Sequence, residues 1–256
     1  MAKKRTEMKQ EKKNNWIRKL SIYQILGGML VATALAAFIA IWVSYATGRN
    51  EYASLRQYVM VLSGGNAADA EKVTDMDEES KETLQEEASA TQSVLEVNFD
   101  DLKQINPDIV AWIAFDNIDI SYPVVQRDNS YYLSHTFEGK ENVAGCIFMD
   151  EQNASDFSDN HTILYGHNMK NGTMFGMLKN YKEQEFLEEN RYFTIYTPDA
   201  EFRYEISSAR TVSVENNLFT QTDLGEKDRV VTLSTCTYSD DLRFVVSGVC
   251  ISCTFE

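Results

Sequence analysis

The sequence predicts a mainly β domain, a barrel or sandwich with short helices, carried behind one N-terminal transmembrane helix. Two observations predict it. From Ile22 to Tyr45 no residue is charged, which is enough helix to cross a hydrocarbon layer of ~30 Å. Beyond Asn98, seven or eight short runs of β-branched and aromatic residues alternate with turn signals, the pattern of an all-β barrel or sandwich. The stretch from Asn98 to Glu256 is long enough for one core.

The chain has 256 residues and a formal net charge of −15. Residues 1–19 run against that total, with eight Lys/Arg and two Glu. They read as a basic cytoplasmic tail. Residues 20–47 read as the membrane helix, with Trp42 and Tyr45 at an interfacial aromatic belt. By the positive-inside rule the N-terminus is cytoplasmic and everything past Gly48 is outside. A cleaved signal peptide is the alternative, but the apolar run is long for one and "SYATGRN" is a weak cleavage site. The acidic remainder argues against nucleic-acid partners, because phosphate contacts need clustered Lys/Arg.

Residues 48–97 read as an extracytoplasmic linker, helical and then acidic. "EYASLRQYVMVL" has helical spacing and "SGGNAAD" breaks it. Asp69 to Glu96 is acidic and poor in aromatics, as in a solvated helix or a spacer. Residues 98–256 form the domain itself. "FDDLKQINPDIVAWIAF" reads as a helix followed by a strand. Strand-like runs follow in "IDISYPVVQ", "AGCIFMD", "HTILYGH", "RYFTIYTPD", "EFRYEISSARTVSV", "RVVTLSTC" and "RFVVSGVCISCTF", interrupted by the helical "MFGMLKNYKEQEFLEEN".

Four cysteines lie outside the membrane in this reading: Cys146, Cys236, Cys250 and Cys253. "CISC" has CxxC spacing, but in a strand residues i and i+3 point to opposite faces. No second Cys/His pair completes a zinc site, so these two read as ordinary residues of a terminal strand. Cys236 is different, because it closes one β-branched run while Arg243 opens the next across six residues. A hairpin would bring the two side chains to one barrel mouth, where a guanidinium can bind the oxyanion formed when a thiolate attacks a carbonyl. Of the three histidines, His167 ends "TILYGH" and faces a Gly/Asn-rich loop, so it is the candidate proton donor. His161 opens the same strand, and His135 sits among aromatics.

"TLSTC" with an arginine heading the next strand, and "ILYGHNM" upstream, resembles the sortases, cysteine transpeptidases of Gram-positive cell surfaces. "YGHNMKNGTMFGMLKNYK", "DNSYYLSHTF" and "FTIYTPD" are most similar to class B. The resemblance implies an eight-stranded sortase-type β-barrel. It makes Cys236 the nucleophile, His167 the general acid and Arg243 the oxyanion-stabilising group. It implies cleavage of an NPxT-like C-terminal sorting signal after Thr, through a thioacyl enzyme resolved by an amine of peptidoglycan or of a pilin lysine. Leu218, Phe219, Thr220 and Thr235 are then the candidates to contact the signal. Class B members carry a long helical insertion between the sixth and seventh strands, whereas Ser213–Asp228 is short here and shows no helical pattern. The lid motif and second membrane helix of the pilin-polymerising class C do not appear. No cofactor or metal is expected, since Asp223, Glu226 and Asp228 read as a solvated loop. The alternatives are a hydrolytic cysteine peptidase using the same trio, and a non-catalytic surface β-barrel that binds a partner.

Overall fold

The computed structural model describes residues 2–62, 94–215, 229–237, 239 and 241–255. It divides into two compact units, Met1–Thr47 and Gly48–Glu256. The first unit is the main part of helix α1 (Ala2–Leu55). One stretch among the described residues, Leu26–Tyr58, contains an 18-residue window of mean hydropathy 2.2 and is long and apolar enough to cross a membrane. Leu30, Phe38 and Trp42 stand exposed along it.

The second unit begins with the last turns of α1, where Glu51, Tyr52 and Leu55 are buried against the domain. A single 3₁₀ turn (Arg56–Tyr58) leads into β1 (Val59–Leu62). β1 pairs antiparallel with β2 (Val94–Val97), with Val59 opposite Val97. The helical spacing of "EYASLRQYVMVL" thus holds only to Leu55. The β-branched "VMV" then takes the extended form that suits it. Val94–Val97, the end of the stretch expected to be a solvated helix or spacer, is also a strand. Both segments had looked like linker because pairing between residues so far apart leaves no local pattern.

Helix α2 (Phe99–Ile105) starts at Asn98, whose side chain accepts from the Asp101 amide at 3.0 Å and satisfies one of the orphan donors of the first turn. Eight strands then close a barrel: β3 (Ile109–Phe115), β4 (Ser121–Gln126), β5 (Ile147–Met149), β6 (His161–Tyr165), β7 (Tyr192–Tyr196), β8 (Ala200–Ser213), β9 (Val230–Cys236) and β10 (Leu242–Phe255). Around the barrel the order is β10-β8-β7-β3-β4-β5-β6-β9, with β9 returning to β10. The expected fold is therefore the observed one. The helical interruption is a 3₁₀ turn (Leu178–Lys182) followed by α3 (Gln184–Glu189).

The strands show why they fold as they do. β8 alternates, burying Phe202, Tyr204 and Ile206 and turning Glu201, Arg203 and Glu205 outward, so one face meets the core and one meets water. β3 is buried along nearly its whole length, which explains its unbroken apolar run "IVAWIAF". Phe193 stacks on Tyr204 at 5.1 Å and on Phe115 at 5.0 Å, forming an aromatic column in the core. The parallel pairs β4–β5 and β6–β9 sit side by side with β5–β6 between them. That arrangement delivers the ends of β6 and β9 to the same rim.

Candidate active site

β6 and β9 are parallel and in register, with Leu164 opposite Leu233 and Tyr165 opposite Ser234. The ladder runs one step further, from the Gly166 amide to the Ser234 carbonyl at 3.1 Å. His167 and Cys236 therefore leave their strands at the same level. On the other side of β9, Cys236 lies directly opposite Arg243 in the antiparallel β9–β10 pair. Directly opposed residues project to the same face, with Cβ atoms about 5 Å apart. The expected hairpin thus forms, and thiol, imidazole and guanidinium meet at one cavity of about 260 Å³, lined also by Asn129, Leu133, Tyr165 and Ser234.

His167 is held on several sides. Its imidazole shares the cavity with the Cys236 thiol, and Nε2 donates to the Leu133 carbonyl at 2.7 Å. A carbonyl only accepts, so Nε2 carries a proton and Nδ1 is the nitrogen whose proton can come and go. The neighbouring Cys236 thiol raises the His167 pKa above 6.5, and the Leu133 carbonyl adds to the rise while burial opposes it. The neighbouring Asn168 side chain donates to the Cys236 carbonyl at 3.0 Å, tying the two strand ends together. Gly166 is required by packing. A Cβ there would lie 2.5 Å from Ile147 Cδ1 and 2.6 Å from Phe175 Cδ2.

Arg243 is half-buried, and its Nη1 donates to the Leu242 carbonyl at 3.0 Å, which fixes one arm of the planar fork. Thr235 is buried and lines the cavity. Its Oγ1, like Ser234 Oγ, has no hydrogen-bond partner among the described residues. Both oxygens are sealed from solvent, and a buried hydroxyl is costly to leave unpaired. Leu218, Phe219 and Thr220 lie outside the described residues.

Three other residues build the rim without having drawn attention in the sequence. Leu133 acts through its backbone, which no side-chain pattern reveals. Asn129 and Tyr165 are both tied to the buried Asp150 carboxylate, at 3.2 and 2.8 Å. Burial, with the Asp150 hydrogen bond, raises the Tyr165 pKa. Their signal was the aromatic-rich "DNSYYLSH" and the tyrosine of "YGH", legible only as likeness.

The other histidines and cysteines stand apart from this cluster. His161 is buried at the start of β6, the opposite end from Tyr165, and its Nε2 bonds Thr232 Oγ1 at 2.9 Å. His135 stacks on Tyr131 at 4.1 Å. Cys250 is half-buried and Cys253 exposed in β10, and neither is in a disulfide.

The sortase domain family model matches residues 113–250, just over half the chain. Sortase B of Listeria monocytogenes is 34% identical over 176 residues, which cover 58% of this chain and 72% of that protein. The Staphylococcus aureus sortase B–substrate complex superimposes with a TM-score of 0.62 at 25% identity, covering 82% of this chain and 99% of that one. A Streptococcus pyogenes class B sortase involved in pilus biogenesis gives a TM-score of 0.55 at 28% identity, covering 60% and 98%. The chain accordingly belongs to the sortase family, cysteine transpeptidases that work through a thioacyl intermediate, and within it is most like class B.

Proposed function

We propose that this chain is a membrane-anchored transpeptidase in which Cys236 is the nucleophile, His167 the general acid and Arg243 the oxyanion-binding group. The single observation that carries the reading is the meeting of the three side chains at one cavity, with Arg243 directly opposite Cys236 and His167 at the same level on the neighbouring strand. The Cys236 thiolate attacks the Thr carbonyl carbon of an NPxT-like C-terminal signal. The Arg243 guanidinium bonds the oxyanion as it forms. The tetrahedral adduct collapses, the scissile C–N bond breaks, and His167 gives the Nδ1 proton to the leaving amine. A thioacyl enzyme remains. An acceptor amine from a peptidoglycan cross-bridge or a pilin lysine then attacks it, the new C–N bond forms and the C–S bond breaks. The proton of the attacking amine passes to His167, restoring imidazolium and thiolate.

Thr235, in the wall of the cavity, and Leu218, Phe219 and Thr220 are assigned to contact with the bound signal. Support for this substrate class comes from the S. aureus relative, which was solved with a substrate, and from the S. pyogenes relative, which is involved in pilus biogenesis. The exposed apolar residues of α1 suit a lipid surround. On this reading residues 1–19 are cytoplasmic, 20–47 span the membrane, 48–97 link, and 98–256 form the catalytic barrel outside the cell.

The test is to incubate the full-length chain in detergent with a fluorescent NPxT peptide, with and without an amine acceptor. Amine-capped product that disappears in Cys236→Ala is expected. Product that never incorporates the amine would make the enzyme a hydrolase, and turnover surviving in Cys236→Ala would remove the nucleophile.

A further inference from the structure

We infer that Tyr52, on the last turns of α1, is a positioning residue for His167 that acts through Gly145. The inference deepens the function proposed above and rests on it. Tyr52 is only 5% exposed, and its Oη donates to the Gly145 carbonyl. Gly145 has φ of +56° and abuts the two groups that set the imidazole. A Cβ built on it would lie 3.0 Å from the Leu133 carbonyl oxygen and 3.1 Å from His167 Cδ2. The Leu133 carbonyl is the acceptor of His167 Nε2. A single residue therefore lies beside both the histidine ring and its anchor, with no room for a side chain between them, and the Tyr52 hydroxyl holds that residue.

Tyr52 also reaches the other support of His167. Its ring meets Tyr122 edge-on, with centroids 5.5 Å apart. Tyr122 Oη accepts from the Met174 amide at 3.2 Å, in the loop that follows His167. Met174 has φ of +54°, a backbone form that a side-chain-bearing residue keeps only when its surroundings impose it. The same loop is bonded back to His167 from the Phe175 amide to the His167 carbonyl at 3.0 Å.

Neighbouring contacts make the segment from Tyr131 to Cys146 a stiff relay. The Cys146 amide donates to the Tyr132 carbonyl at 3.0 Å, and the Asn142 amide to the Ser134 carbonyl at 2.8 Å. Glu51, beside Tyr52, accepts from Thr136 Oγ1 and the Glu138 amide, each at 3.0 Å. The Lys140 ammonium stands 3.9 Å from the Glu51 carboxylate. Burial raises the Tyr52 pKa and pushes the adjacent Cys146 thiol up to about 12. Both stay neutral at physiological pH, so the Tyr52 donor is constant there.

The experiment uses the full-length chain in detergent. Tyr52→Phe removes the hydroxyl and keeps the ring. The expected result is a fall in kcat of roughly three- to tenfold with KM for the sorting peptide held within about twofold. The basic limb of the kcat/KM profile should also move to lower pH, because the imidazolium loses part of its hold on the Leu133 carbonyl. The control is Tyr196→Phe. It strips a hydroxyl that accepts from the Leu95 amide at 3.4 Å, outside the cavity, and should leave both readouts unchanged. An unaltered kcat and profile in Tyr52→Phe overturns the inference. So does a fall in kcat that follows a fall in Tm while the limb stays in place, the mark of a purely structural residue. Failure of the underlying reading would show separately, as turnover in Cys236→Ala.

Discussion

Gly166→Ala tests how the barrel holds its histidine. The new Cβ would sit 2.5 Å from Ile147 Cδ1, and 2.6 and 2.8 Å from Phe175 Cδ2 and Cγ. Carbon atoms pack at about 3.5–4.0 Å, so displacements of about 1 Å are needed. Ile147 and Phe175 are both completely buried, so neither can give way by swinging toward solvent. Overpacking of this kind costs about 1–3 kcal/mol, which in a domain of this size lowers Tm by about 2–10 °C. The second effect is catalytic. The Phe175 amide is bonded to the His167 carbonyl, so a displaced Phe175 pulls the residue beside the substitution. A shift of about 1 Å in a proton donor can cost up to about 100-fold in kcat. Thermal unfolding followed by circular dichroism reads the first effect, and steady-state cleavage of a sorting peptide reads the second. Wild-type Tm would show that the site relaxes without cost and that the packing argument is wrong. A lowered Tm with wild-type kcat would show that Phe175 does not relay the strain.

Two further substitutions address the trio. Arg243→Lys should lower kcat by about 100-fold, because a point charge cannot reproduce a planar fork held opposite Cys236. Full activity in peptide cleavage would remove the oxyanion role. His167→Ala should block turnover, and it should also change the pH dependence of stability. The folded pKa of His167 is raised above 6.5 by Cys236 and the Leu133 carbonyl. Its contribution to stability is therefore fully present below about 6.5 and is lost as pH rises through the folded value. Urea denaturation at stepped pH should show the wild type losing stability relative to His167→Ala across that window. Parallel curves would mean the folded histidine titrates as it does in the unfolded chain.

The site was legible in outline because its chemistry sits at strand ends, and strand ends are marked in the sequence. A β-branched run that stops at Cys236, and another that starts after six residues at Arg243, leave few arrangements other than a hairpin with both side chains at one mouth. His167 carried the same mark at the end of "TILYGH". The rest of the site was hidden for definite reasons. Leu133 contributes a carbonyl, which every residue possesses. Gly145 matters through a backbone shape that places it against His167. Tyr52 lay in what read as a linker, because its partners Gly145 and Tyr122 are far along the chain. Val59–Leu62 and Val94–Val97 were missed on the same ground, since each strand completes the other.

Local order is what the amino-acid sequence determines by itself. Hydropathy, β-branching and turn residues report on each segment's own partition between water, core and bilayer, and that already specifies an apolar helix, a run of strands and the residues at their ends. The tertiary structure decided the rest. Closing the barrel puts β6 parallel to β9 and in register with it, which brings the imidazole of one strand to the thiol of another. It also buries the end of α1 against the loop that holds that imidazole. Such contacts join residues separated by tens of positions, and their energy exists only once the intervening chain has folded to bring them together.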